Sequence, residues 1–191
     1  MYFKFSSAII QVMKTIKIAF DLDGVIIDKP PLIPKKLLER LFRGKNKNGL
    51  HYRFPHSKLE QKIRKLSHFY LLRPPIKKNI KFIKELAKNE KYELYAVSGR
   101  YSFLKKETEN WLKKRKINGL FKEVFINLKD EQPHLFKERK LKEIGAEIFV
   151  DDDCLLADYL TEKCKIKIFC FTAKDECTKA KKVYKIEDVF K

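Results

Sequence analysis

An apolar run that stops abruptly at a pair of carboxylates constrains this chain more than any other feature. Ile16-Lys17-Ile18-Ala19-Phe20 reads as a buried strand, and Asp21-Leu22-Asp23-Gly24-Val25 follows at once. Asp and Gly are poor strand formers, so two acids set two residues apart at a strand end point to a site rather than to packing. The pattern recurs at Glu147–Val150, which runs into Asp151-Asp152-Asp153. Further candidate strands are Glu93–Val97, Glu123–Ile126 and Ile166–Phe171, with apolar residues on both faces in places, as a sheet covered on both sides requires.

Helical patterns separate these runs. Pro74-Pro75 opens one, with Ile76, Ile80, Ile83 and Ala87 at helical spacing. A second runs from about Ser102 to Lys116, with Leu104, Thr108, Trp111 and Leu112 inward and Gly119 as its stop. A third runs from about Leu135 to Ile144 and ends at Gly145, a left-handed cap. The alternation predicts an α/β fold with a doubly wound parallel sheet. Residues 28–73 break the rhythm: Lys29–Pro34 is followed by helical patterns at Leu37–Phe42 and Leu59–Leu72 around a basic, aromatic middle. We read residues 14–28 and 74–191 as the core, 29–73 as a small helical insertion above the sheet, and 1–13 as an N-terminal extension.

In an open parallel sheet, ligands bind beyond the carboxyl ends of the strands. Asp21 and Asp23 follow the first strand, Ser98-Gly99-Arg100 the second and Asp151-Asp152-Asp153 the fourth. Lys137 lies early in the helix after the third strand, which brings it to the same edge; Lys140 and Lys142 lie further down. Several carboxylates at one edge cannot all ionise cheaply without a cation, and hard oxygen ligands suit Mg²⁺. Asp21 is placed to attack phosphorus, and Asp23 to protonate a leaving oxygen and then activate water. The Ser98 hydroxyl, the Gly99 amide and the Lys137 ammonium are donors suited to phosphate oxygens.

These residues, in this order, resemble the haloacid dehalogenase superfamily of phosphohydrolases. Its D-x-D-G-V/T motif is met by Asp21 to Val25, its strand-two Ser/Thr by Ser98, its Lys by Lys137 and its acidic pair by Asp151 and Asp152. The resemblance spans about Ile16 to Phe171. It implies Asp21 as nucleophile, Asp23 as acid/base, and Mg²⁺ held by the Asp21 carboxylate, the Asp23 carbonyl and a later acid. Asp152 is the first choice for that acid and Asp151 the second; Asp153 sits where relatives often carry Ser. The insertion stands where the family's C1 caps stand. Thr108 to Asn127 is similar, loosely, to the deoxyribonucleotidase-type branch. The resemblance therefore implies a phosphoric monoester hydrolase acting on a small phosphorylated substrate; a nucleoside monophosphate is our first expectation and a sugar phosphate the second.

In the insertion, His51-Tyr52-Arg53-Phe54-Pro55-His56 reads either as a packed loop or as a substrate lid. As a lid, Arg53 would meet a second anionic group and Tyr52 or Phe54 would stack on a base or sugar, with Arg43 and Arg73 as weaker candidates. The net charge of +19, from 44 basic and 25 acidic residues, draws in anions. It keeps open a nucleic-acid partner or a polynucleotide-end phosphatase, although no nucleic-acid motif is present. A non-catalytic phosphate-binding module is the remaining alternative. No apolar run reaches the roughly 18 residues of a membrane span, and the start has no signal-peptide pattern. Cys154, Cys164, Cys170 and Cys177 form no C-x-x-C pair and lie apart from the histidines, so they are expected to be free thiols of a cytoplasmic protein rather than a metal or redox site. The oligomeric state is not readable from the chain.

Overall fold

A computed structural model describes residues 14–31, 50–172 and 177–190. Strands β1 (Ile16–Phe20), β2 (Tyr92–Tyr101), β3 (Glu123–Asn127), β4 (Ile148–Asp151), β5 (Lys167–Phe171) and β6 (Lys181–Val183) form one sheet in the order β3-β2-β1-β4-β5-β6. Every pairing between them is parallel. Helices α1 (Lys58–Ser67), α2 (Lys77–Leu86), α3 (Lys105–Lys114), α4 (Pro133–Ile144) and α5 (Cys154–Lys163) connect them.

The strand pleat divides the core in two. Ile18, Phe20, Ala96 and Val150 point to one face, where they meet Ile80 and Ile83 of α2 and Trp111 and Leu112 of α3. Ala19, Val97 and Phe149 point to the other, against Phe136 and Leu141 of α4 and Leu156 and Leu160 of α5. Apolar residues on both faces of β1 therefore mean what the sequence implied: a sheet with helices on both sides. Strand order reverses between β1 and β4, which opens a crevice at their carboxyl ends.

Several boundaries differ from expectation for local reasons. β2 runs on to Tyr101, so Ser98-Gly99-Arg100 lies within the end of the strand, where pairing with β3 shifts register between Ser98 and Tyr101. α3 stops at Lys114, before Gly119, because Lys116 turns left-handed (φ 54°) and the Ile117 N–H reaches back to the Leu112 carbonyl at 3.1 Å. α4 starts two residues early at Pro133, whose missing N–H costs nothing in a first turn, and ends at Gly145 (φ 66°) as expected. β6 is short and Lys-rich and has no sequence signal. The patterned stretch Leu37–Phe42 and Arg43 lie outside the described residues.

The cysteines require a correction. Cys154 and Cys177 are joined in a disulfide, while Cys164 and Cys170 are free. Spacing along the chain hid this, because the contact is made by the fold: β5 lies beside β4, and the segment before β6 returns over the start of α5.

Candidate active site

The loop after β1 is shaped by its own backbone and by α2. The Ile26 and Ile27 N–H groups both donate to the Leu22 carbonyl (2.9 and 2.7 Å), and the Asn79 amide donates to the Val25 carbonyl at 2.7 Å. Gly24 is left-handed (φ 75°), and a Cβ there would lie 2.0 Å from the Asp152 carboxylate. Only glycine combines that backbone with that approach. At Gly99 a Cβ would meet the Pro133 side chain at 2.8 Å, so the start of α4 can close on β2 only over a glycine.

Strand register then assembles the acids. Phe20 pairs with Val150, and the Asp21 N–H donates to the Val150 carbonyl at 2.9 Å, which sets Asp21 beside Asp151. Lys137, in the second turn of α4, places its Nζ 2.6 Å from Asp151 and 3.1 Å from Asp21. All three are buried. Burial would lower the Lys137 pKa, but Asp151 and then Asp21 outweigh it and hold the ammonium above the usual lysine range. Asp21 moves the other way: burial raises its pKa well above the carboxylate range, Lys137 opposes this, and Asp151, Asp23 and Asp152 add to it. Asp152 is pushed up to about 7, chiefly by burial, with Lys29 opposing at 3.4 Å.

Carboxylate oxygens of Asp21, Asp151 and Asp152 lie within 4.8 Å of one another. An all-oxygen cluster of two buried acids and one half-buried acid, held away from their preferred charge, is the donor set a hard divalent cation fits. Asp151 is already engaged by Lys137 and by the Asp153 N–H at 3.0 Å, which leaves Asp152 as the freer oxygen donor beside Asp21.

Asp23 stands in different surroundings. Arg100 donates to it from Nε and Nη2, each at 2.7 Å, and Arg73 forms an ion pair with it through Nη2. Both arginines are buried. Burial alone would raise the Asp23 pKa; Arg100 and Arg73 overwhelm that and hold it far below the carboxylate range. The arginines are themselves supported. Thr108 accepts from Arg100 Nη1 at 3.0 Å, and the Trp111 indole N–H donates to the Arg73 carbonyl at 2.7 Å. Beneath them His68 is buried and pushed down to about 3, first by burial and then by Arg100, so it is a neutral imidazole. The sequence places Arg100 in the strand-two motif with no assigned role and offers Arg73 for the lid rather than for Asp23. The one local signal was an arginine directly after Ser98-Gly99.

The remaining expectations divide. Ser98 is buried near the end of β2, level with the Asp21 loop, and its hydroxyl accepts from the Arg100 N–H at 3.4 Å. Tyr52 reaches the edge: its hydroxyl donates to Asp153 at 2.6 Å, and its backbone is held by Gln132 and by Tyr101. Phe54 packs edge-on against Tyr101, with ring centroids 4.9 Å apart. Arg53 is not brought to the site; it turns out to Glu60 on α1 in a half-exposed ion pair.

No protein-family model matches the chain, and no curated protein matches it at a significant level. Solved structures do. YfnB of Bacillus subtilis, assigned as a HAD-hydrolase and crystallised with magnesium, superposes with a TM-score of 0.60 at 14% identity over 93% of this chain and 97% of its own. A protein of Thermotoga maritima assigned as a β-phosphoglucomutase gives 0.61 at 16% identity over 92% and 96%. A structure of the Pnkp1/Rnl/Hen1 RNA repair complex gives 0.50 at 16% identity, over 83% of this chain but 42% of that one. With its six-stranded parallel sheet, the chain thus has the α/β fold found in HAD-type hydrolases.

Proposed function

We propose that this chain is a Mg²⁺-dependent phosphatase of small phosphomonoesters that works through a phosphoryl group carried on Asp21. The observation that carries the reading is Lys137, buried between Asp21 and Asp151 with Asp152 alongside. That is one fixed cation among three acids, at the sheet edge where the fold binds ligands.

Asp21 and Asp152, with the Asp23 carbonyl, would hold the ion. Bound there, Mg²⁺ supplies charge neutralisation between carboxylate and phosphate and polarises the P–O bonds. The rest is the work of the chain. Lys137 keeps Asp21 oriented and offers its remaining N–H to a phosphate oxygen. Ser98 and the Gly99 amide serve the other equatorial oxygens. The Asp21 carboxylate attacks phosphorus, and the alkoxide leaves. Asp23 is held ionised by two arginines, which also suppress its proton affinity, so it becomes the base that draws a proton from the water attacking the aspartyl-phosphate once those contacts loosen. To act as the acid in the first step it must first collect a proton, which requires a bound substrate to loosen the Arg73–Asp23 contact. Among the described residues, the buried Nε of Arg73 has no hydrogen-bond partner.

Tyr52 at the edge, hydrogen-bonded to Asp153, supports a C1-type lid over residues 29–73 and a flat substrate group such as a nucleoside, with a sugar phosphate second. The test is phosphate release from an aryl phosphate, nucleoside monophosphates and sugar phosphates, with Mg²⁺ or with chelator. Metal-dependent release, ranked toward nucleotides and lost in Asp21→Asn, is expected. Release that survives Asp21→Asn would overturn the assignment.

A second reading, phosphate removal from polynucleotide ends, is favoured by the +19 charge and by the fold shared with the RNA repair complex. End-phosphorylated oligonucleotides in the same panel separate the two. A preference for them that falls steeply with salt selects the second reading.

A further inference from the structure

Behind the carboxylate edge lies a second chemical cluster, made of sulfur. The Sγ atoms of Cys154, Cys170 and Cys177 lie within 4.8 Å of one another, and all three residues are buried. Each comes from a different element. Cys154 is the first residue of α5, immediately after Asp153, whose carboxylate caps that helix. Cys170 is in β5, opposite Asp151 in the ladder. Cys177 precedes Thr178-Lys179-Ala180, whose backbone N–H groups all donate to Asp158 of α5 at 2.8 Å. Cys154 is bonded to Cys177 while the Cys170 sulfur sits 3.1 Å from its own. The central sulfur therefore has two partners within reach and can bond to one at a time.

We propose that these three cysteines form a thiol–disulfide exchange site, in which Cys154 pairs alternately with Cys177 and with Cys170. In the exchange, Cys170 gives up its proton and its thiolate attacks the Cys154 sulfur. The Cys154–Cys170 bond forms and the Cys154–Cys177 bond breaks. Cys177 leaves as a thiolate and takes up a proton, so the count of oxidised sulfurs is unchanged. An external dithiol empties the site: two hydrogens pass to the cysteines, and the dithiol becomes a disulfide. Bonded to Cys177, the start of α5 is tied to the segment before β6; bonded to Cys170, it is tied to its neighbouring strand, and that segment loses its covalent tie while keeping its hydrogen bonds to Asp158. The acid-bearing turn Asp151–Asp153 thus ends at a residue whose partner depends on thiol redox state. This sulfur chemistry stands whether or not the edge is a phosphatase site.

The test is peptide mapping of the full chain under non-reducing conditions after differential alkylation, following hours of incubation with glutathione disulfide or with dithiothreitol. The expected result is a Cys154–Cys177 linkage in the wild type, a Cys154–Cys170 linkage in Cys177→Ser, and Cys164 alkylated throughout. Reduction should lower the wild-type Tm by about 6–12 °C, the shift that opening a loop of this length predicts. Four alkylated cysteines in oxidised wild type would overturn the proposal. So would a Cys177→Ser protein that forms no Cys154–Cys170 linkage. If Cys177→Ser does not fold, the wild type decides: in a mixed glutathione buffer it should yield a minor Cys154–Cys170 linkage beside Cys154–Cys177, lost in Cys170→Ala, and its absence from the wild type would overturn the proposal. Stoichiometric zinc shielding the three thiols from alkylation until a chelator is added would also overturn it, in favour of a metal site.

Discussion

Asp21 and Asp23 leave the same strand two residues apart and end in opposite surroundings. Asp21 is buried beside one lysine and two further acids; burial raises its pKa, the acids add to the rise and the lysine opposes it. Asp23 faces two buried arginines, which hold it far below the carboxylate range. The first region is a surplus of buried negative charge, stable only with a proton or a cation, and it is therefore a place where binding changes energy. The second is a closed structural ion cluster as well as a chemical group. Two carboxylates from one pentapeptide thus differ in what their removal does to the molecule.

The largest effect we expect is on turnover. Asp21→Asn should lower phosphate release by about 10⁴-fold or more, as loss of a nucleophile does. Its Tm should stay within about 2 °C of wild type, because a neutral side chain suits a site that already disfavours the charge. Asp23→Asn should break the comparison in the other coordinate. It leaves Arg73 and Arg100 buried against a neutral group, which costs about 3–5 kcal/mol and roughly 6–15 °C of Tm. Turnover should also fall by about 10²–10⁴-fold, most for substrates with poor leaving groups. Equal thermal shifts in the two variants would erase the distinction between the regions.

A pH series sharpens the surplus side. The folded, metal-free chain keeps a proton on Asp152 up to about pH 7, while the unfolded chain loses it near 3.8. Between those values the folded state binds more protons, so this group's contribution to stability falls as pH rises. Mg²⁺ competes with that proton. Its stabilisation of Tm should therefore grow from pH 5.5 to pH 8 and largely vanish in Asp152→Asn; a flat profile would remove Asp152 as a ligand. The smallest effect belongs to Tyr52→Phe, which loses one hydroxyl–carboxylate bond to Asp153. About 1 kcal/mol is at stake, seen as a few-fold rise in KM at nearly unchanged kcat.

The two regions also differ in how far the sequence discloses them. Asp21, Ser98, Lys137, Asp151 and Asp152 were legible because strand ends and helix direction fix which edge they reach. The arginine cluster was not, since Arg73 comes from the chain leading into α2 and Arg100 from the end of β2, and only the folded loop after β1 brings Asp23 between them. Arg53 was misplaced for the converse reason: a local partner, Glu60, takes it away from the edge. The sulfur cluster was missed because the neighbours it needs are set by β4–β5 pairing and by the return of the chain over α5. Periodicity sees faces of elements; it does not see which distant side chains share a pocket.

The most direct test of the central claim is acid-quench trapping with a ³²P-labelled aryl phosphate and Mg²⁺, on Asp23→Asn at a temperature where it is folded. A good leaving group needs no acid, whereas hydrolysis of the intermediate needs the missing base. We expect up to one phosphoryl group per chain, released by hydroxylamine and mapped to the peptide holding Asp21. A burst of phenol with no label on the protein, or a label on any other residue, would contradict the account.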